Sequence, residues 1–134
     1  SGPLMDRIDL HVEVSPIQIN DLSNIPNASE SSATIRERVT KARLIQKTRF
    51  QKDGFEQIHN NSQIPSKFIQ QLCHLKPPSR QLLTSAMSRL NLSARAYHRI
   101  LKVARTIADL GNELDILPEH VAEAIQYRSL DRSR

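Results

Sequence analysis

The stretch that decides the fold is residues 92–110, LSARAYHRILKVARTIADL. Its apolar side chains recur every three to four positions, which is the period of an α-helix with one buried face. Ser93 is a favourable N-cap residue, and Gly111 follows the last turn, where glycine commonly ends a helix. The stretch therefore predicts a long amphipathic helix whose buried face carries Tyr97, Ile100, Leu101, Ala104, Ile107 and Ala108.

Further helices are predicted on both sides of this one, at about 32–50, 66–75, 77–90 and 118–127. In the first of them, Ile35, Val39 and Ala42 recur at helical spacing and should face the core. Prolines at the start of the last two fit a first helical turn, because a residue there does not use its N–H group. The sequence therefore indicates an all-α domain of four to five helices.

Three segments do not follow the helical period. From Arg7 to Val14, apolar and polar residues alternate, which predicts a strand with one buried face. No other segment repeats this alternation, so we expect a lone strand without a sheet. Residues 15–28 contain two prolines and no period, and 51–63 is polar with Gly54. We interpret the former as a connecting linker and the latter as a linker or mobile loop.

Composition limits the range of functions. The 134 residues suffice for about one domain, and the net charge of +5 is compatible with a polyanionic partner without requiring one. Three glycines cannot form a glycine-rich phosphate loop, so the chain is not expected to hold a triphosphate unaided. No spacing of histidines or cysteine indicates a metal site. Cys73 is expected to be a buried thiol in a reducing cytoplasm, in a protein without a membrane span.

Basic side chains are the remaining candidates for a functional site. By helical geometry, Arg95 and Arg99 lie opposite the apolar stripe of residues 92–110, with Lys102 beside them. Periodicity alone favours an ordinary solvated face for these three residues. For Arg7, between two aspartates, it favours a structural ion pair. A second basic face, on the helix at 32–50, carries Arg36, Arg43 and Lys47 and is a candidate for contact with nucleic-acid phosphates.

Three segments resemble a known family in the order that the family has them. Residues 4–10, LMDRIDL, resemble the motif L-L-D-R-[IF]-D-L that ends the ATPase core of magnesium-chelatase-like and MCM-type AAA+ proteins. Residues 92–110 are similar to the sensor-2 helix of competence proteins of the ComM type. Residues 120–131, HVAEAIQYRSLD, are similar to the closing helix of that family's lid.

The resemblance implies a fold and a set of roles. Residues 1–14 would be the end of an AAA+ core, 15–28 a linker, and 29–134 a C-terminal helical lid. Arg7 would be an arginine finger acting on ATP bound by a neighbouring subunit, and Arg95, with Arg99, would contact the nucleotide as sensor 2. The parent protein would be a ring, expected to be a hexamer, that uses ATP and Mg²⁺ and remodels DNA or migrates its branches.

Two other functions stay open at this point. The chain could be a stand-alone nucleic-acid-binding module that uses the basic face at residues 36–47, or a helical bundle that binds a protein partner. Without a phosphate loop, the chain by itself is expected to bind no cofactor and to hydrolyse no ATP.

Overall fold

Six α-helices form in residues 2–16 and 29–128, the parts of the chain that this computed structural model describes. In chain order they are α1 (Gly2–Arg7), α2 (Ser32–Lys52), α3 (Ile69–Leu72), α4 (Pro77–Leu90), α5 (Ala94–Leu110) and α6 (Pro118–Gln126). Two 3-10 turns, Asn61–Gln63 and Ser66–Phe68, lie between α2 and α3. The predicted all-α fold is confirmed.

Local signals explain where the main helices begin and end. The Oγ atom of Ser31 accepts a hydrogen bond from the Thr34 amide at 3.1 Å and caps α2. Ser93 caps α5 in the same way, through the Ala96 amide at 3.1 Å. Prolines occupy the first turns of α4 and α6. Asn91 ends α4 with a left-handed φ of 51°, a conformation that asparagine tolerates better than most residues.

Helix α5 lies at the centre of the core. Ile100, Leu101, Ala104 and Ala108 are at most 1% exposed, as the apolar stripe of this helix predicts. Helices α1, α2, α3 and α6 all pack against α5, and α6 also packs against α4. A parallel bridge between Leu75 and Ile116 joins the segments that precede α4 and α6.

Helix α2 is longer than the surface that it packs against. Its buried residues, Ala42, Gln46 and Phe50, all lie in its C-terminal half. Ile35 and Val39 were expected to face the core, but they are 42% and 43% exposed, so this part of the prediction is wrong. A helix of 21 residues spans about 32 Å, and its first ten residues are exposed.

The segment at 51–63 is not the loose linker that its polarity suggested. Its first two residues extend α2, and the side chains of Phe55 and Ile58 pack against the core. Asn61 is 2% exposed, and its amide group donates to the carboxylate of Asp109 at 3.0 Å. Polarity alone could not show that this asparagine would find a buried acid 48 residues away.

The strand expected from Arg7 to Val14 does not form. Arg7 ends α1, and residues 8–16 have no strand partner within the described parts of the chain. Ile8, Leu10, Val12 and Val14 are 39–85% exposed, because no sheet among the described residues covers the face that they share. The linker at 15–28 lies almost entirely outside the described residues, as do positions 129–134. The proposed division into core end, linker and lid therefore stays a prediction.

Candidate functional site

A basic depression of about 350 Å³ lies where the end of α1 meets the N-terminal half of α5. It is lined by Arg7, Ser66, Arg95, His98, Arg99 and Lys102. The α5 residues recur at helical spacing and so share one face of that helix. The structure thus brings together Arg7, Arg95 and Arg99, three residues that the sequence placed 4 to 92 positions apart.

Arg7 and Arg95 present their guanidinium groups to solvent. Both residues are exposed, and neither has a hydrogen-bond or ion-pair partner within the described parts of the chain. The ion pair expected for Arg7 from its neighbouring aspartates is therefore not seen there. An anion that entered the depression would not have to displace a carboxylate from either arginine.

Arg99 differs from the other two arginines because it already has partners. Its Nη1 atom lies 2.5 Å from Oδ1 of Asp9, and its Nε donates to the backbone oxygen of Asp6 at 3.2 Å. These contacts join α5 to residues on both sides of Arg7. The charge of Arg99 is therefore partly balanced before any ligand binds.

Lys102 closes the side of the depression nearest the 3-10 turn at 61–63. Its Nζ donates to the backbone oxygen of Ser62 at 3.1 Å. The pKa of Lys102 is lowered, first because partial burial disfavours the charged ammonium and second because the charge of Arg99 lies nearby. The carboxylate of Asp9 opposes this shift. A bound phosphate would also favour the charged form.

The lining of the depression determines what it could bind. Planar guanidinium groups match the geometry of phosphate oxygens, and none of the lining residues is acidic. Mg²⁺ prefers carboxylate oxygens, which the lining does not offer. No group of three or more His, Cys, Asp or Glu residues able to hold a metal ion occurs among the described residues. The depression is therefore suited to binding phosphate oxygens and not to binding Mg²⁺.

The three residues proposed to contact nucleic acid lie elsewhere, on α2. Arg36, Arg43 and Lys47 are all exposed and fall within about 40° of one another around the helix. They do not line the basic depression. The described residues therefore include two separate basic surfaces.

Several residues that hold the site in place had no predicted role. Arg128, directly beyond α6, is 1% exposed. One of its nitrogens donates to the backbone oxygen of Ile8, and another donates to that of Met5 at 3.0 Å. His11 is also buried, and its amide donates to the Tyr127 oxygen at 2.6 Å. These contacts span more than 110 residues of sequence, so no local pattern could have indicated them.

None of the helices in the described ranges is both long and apolar enough to cross a bilayer.

Comparisons with known proteins agree on one family. The model of the family described as "Magnesium chelatase, subunit ChlI C-terminal" matches residues 29–128. Competence protein ComM of Haemophilus influenzae is 44% identical over 132 residues, which cover 98% of this chain and 25% of that protein. The uncharacterized protein YifB of Escherichia coli is 39% identical, with the same coverage. The uncharacterized protein Rv2897c of Mycobacterium tuberculosis is 29% identical over 134 residues. The chain spans about a quarter of the length of these relatives.

Proposed function

Because this chain belongs to the magnesium chelatase ChlI C-terminal family and is similar to ComM-type proteins, we propose that it is the helical lid of a ring-forming AAA+ ATPase. In this proposal the chain supplies an arginine finger, Arg7, and a sensor-2 arginine, Arg95. The ring, which we take to be a cytoplasmic hexamer, binds ATP with Mg²⁺ in the part of the protein that precedes the lid.

The observation that supports this proposal is that Arg7 and Arg95 line one depression with their guanidinium groups unpaired. An arginine finger acts because a permanently charged, planar group meets the charge that develops on the transferring phosphoryl group. A finger that was already bound to a carboxylate of its own chain would first have to break that ion pair. Neither arginine has this obstacle within the described residues.

The shared depression also bears on which subunit's ATP is contacted. If Arg7 reaches the ATP of a neighbouring subunit, Arg95 lies on the same surface and faces the same phosphates. We therefore propose that both arginines act on the neighbouring subunit's nucleotide. Movement of the lid would then move both groups together relative to that nucleotide.

The first test uses tripolyphosphate, which carries the phosphate chain of ATP without the nucleoside. NMR titration of this chain at low salt should show binding in the millimolar range, with shifts centred on the basic depression. Arg7→Ala and Arg95→Ala should each weaken binding about tenfold, the effect of losing one charge-assisted hydrogen bond. Both changes should alter the free energy of unfolding by no more than about 0.5 kcal/mol, as is usual for exposed sites.

The matched control is Arg89→Ala, which removes an exposed arginine of α4 that does not line the depression. It should leave tripolyphosphate binding unchanged apart from the small effect of net charge. If Arg89→Ala weakens binding as much as Arg7→Ala does, the anion is attracted by total charge alone and the depression is not a phosphate site.

A second function, contact with DNA, is favoured by a different observation. Arg36, Arg43 and Lys47 are exposed and share one face of α2, with Arg36 in its N-terminal half and the other two in its C-terminal half. Such a face can contact successive phosphates without disturbing the core. We propose that it binds DNA while ATP hydrolysis in the ring drives remodelling or branch migration. A helical module that binds only a protein partner would need neither basic surface.

A further inference from the structure

Polar contacts add to a partial apolar burial in holding the segment that carries Arg7 against the rest of the domain. Helix α1 has only six residues, too few to be stable as an isolated helix in water. Leu4 is 56% exposed, and Ile8 and Leu10 are 39% and 48% exposed. About half of the surface of these apolar side chains therefore stays in water, and apolar burial alone does not fix the position of the segment.

The backbone oxygens at the end of α1 show what fixes it. The last carbonyl groups of a helix have no partner within the helix and need donors from elsewhere. The Met5 oxygen accepts from Nη2 of Arg128 at 3.0 Å and from Nε2 of His11 at 3.2 Å. The Asp6 oxygen accepts from Nε of Arg99, and the Ile8 oxygen accepts from Nη1 of Arg128. Arginines thus hold the residues on both sides of Arg7.

Arg128 makes these contacts from a buried position. A guanidinium group loses hydration when it is buried, and this cost is tolerated only where hydrogen bonds or a countercharge replace the water. For Arg128 the replacements include two backbone oxygens of the α1 segment and, at 3.9 Å, the carboxylate of Asp6. The amide of His11 extends the same contact surface by donating to the Tyr127 oxygen.

We propose that Arg128 is a positioning residue for Arg7 and that Arg99 assists it. Together their contacts make the segment that carries Arg7 and helix α5 one rigid unit. The inference rests on the proposed function in assigning a role to Arg7. It departs from the expectation that Arg99 is mainly a phosphate ligand, because Arg99 is joined to Asp9 and Asp6. Arg128 itself does not line the basic depression.

Amide hydrogen exchange of this chain tests the contact directly. In Arg128→Gln the amides of Ile8 and His11, which are bonded to the Met5 and Tyr127 oxygens, should exchange at least tenfold faster. The amides of Leu101 and Ala104 in α5 should keep their protection. If Arg128→Gln does not fold, Arg128→Lys retains the charge but can donate to fewer carbonyl groups at once, and it should show the same selective loss.

The matched control is Arg80→Gln, because Arg80 also donates to a backbone oxygen, that of Leu75 at 3.1 Å, but far from α1 in the sequence. It should leave exchange at Ile8 and His11 unchanged. Unchanged exchange of these two amides in both Arg128 variants would overturn the proposal.

Tripolyphosphate binding separates a positioning role from a merely structural one. Arg128→Gln should weaken binding about as much as Arg7→Ala, and the double variant should be no weaker than either single variant. A contrary outcome is that Arg128→Gln speeds amide exchange in the segment while Arg7→Ala still weakens tripolyphosphate binding in the Arg128→Gln background as much as it does alone. In that case Arg128 does not position Arg7. If wild-type binding does not depend on Arg7 at all, the proposed function fails, and the exchange experiment alone decides whether Arg128 holds the segment.

Discussion

Asp109 is the centre of a buried charged network that joins three parts of the domain. Its carboxylate accepts from Nη1 and Nη2 of Arg49, at 2.7 and 3.0 Å, and from the amide group of Asn61. Nη2 of Arg105 lies 3.1 Å from the same carboxylate. Burial lowers the pKa of Arg105, and the charge of Asp109 opposes that shift. These individual hydrogen bonds and ion pairs of Asp109 fix α2 and the 61–63 turn onto α5.

Cys73 is the residue whose environment gives the clearest pH dependence. It is 1% exposed, as expected for a buried thiol, and burial raises its pKa from 9.0 to about 11. The charges of Arg105, Arg49 and Lys102 oppose this shift without cancelling it. In the folded chain the thiol therefore keeps its proton at pH values where an exposed thiol loses it.

We predict that this thiol makes the domain less stable as the pH rises from about 9 to about 11. In that range the unfolded chain releases the Cys73 proton and the folded chain does not, so alkali favours unfolding. The loss should approach about 3 kcal/mol, since each pKa unit corresponds to about 1.4 kcal/mol. Urea unfolding of the wild type and of Cys73→Ala at several pH values measures it. Equal pH slopes for the two proteins would contradict the prediction.

Helix α2 has a packed part and an exposed part along its length. Its C-terminal half packs on α5 through Ala42, Gln46 and Phe50, while its first ten residues are exposed. Ion pairs such as Lys41 with Glu37, at 3.7 Å, occupy another side of the helix than Arg36, Arg43 and Lys47. The exposed basic face is therefore not neutralised by its own helix.

For DNA binding we predict that replacing Arg36, Arg43 and Lys47 together by alanine lowers affinity and weakens its salt dependence. Each phosphate contact contributes about 0.9 to the slope of log affinity against log salt, so three contacts should reduce the slope by about 3. Titration of single-stranded, duplex and branched DNA at two salt concentrations measures this. The control replaces Lys67, Arg80 and Arg89, which removes the same charge from other exposed positions. Equal losses in both triple variants would exclude α2 as a specific DNA-binding surface.

The elements differ in how well the sequence predicted them. Helices α4, α5 and α6 begin and end within a few residues of their predicted limits, because capping serines and first-turn prolines act locally. The exposure of Ile35 and Val39 depends on where the rest of the domain ends, which helical periodicity does not contain. The alternation from Arg7 to Val14 shows only that one face could be buried, and no strand in residues 2–16 or 29–128 covers that face.

The arginines of the basic depression could be selected from the sequence, but Ser66 and His98 of its lining could not. The resemblance assigned Arg7 to an arginine finger and Arg95 and Arg99 to sensor 2. These roles stay predictions, and the structure places the three arginines around one depression. The ion pair of Arg99 with Asp9 joins residues 90 positions apart, and the contacts of Arg128 with the α1 segment join residues still more distant. Such contacts follow from how the helices pack, so they became visible only in the folded chain.

At the scale of the whole molecule, our proposal gives this chain arginines that act on ATP and places the ATP-binding pocket in another part of the protein. The chain spans about a quarter of the length of its relatives, and its glycines are too few for a phosphate loop. Under our proposal, ATP lies between the core of one subunit and the basic depression of the next. Assembly would then be required for hydrolysis, because neither surface is complete in one subunit.

The central claim is that Arg7 acts on the ATP of a neighbouring subunit, and mixing two inactive variants of the assembled ATPase tests it most directly. Arg7→Ala should slow hydrolysis by a factor on the order of 10³, and Arg7→Lys should not restore it, because an ammonium lacks the planar fork. We predict that mixing Arg7→Ala subunits with subunits whose phosphate-loop lysine is removed restores part of the ATPase activity, since intact fingers then face intact pockets. A mixture that assembles but hydrolyses no ATP would contradict the claim.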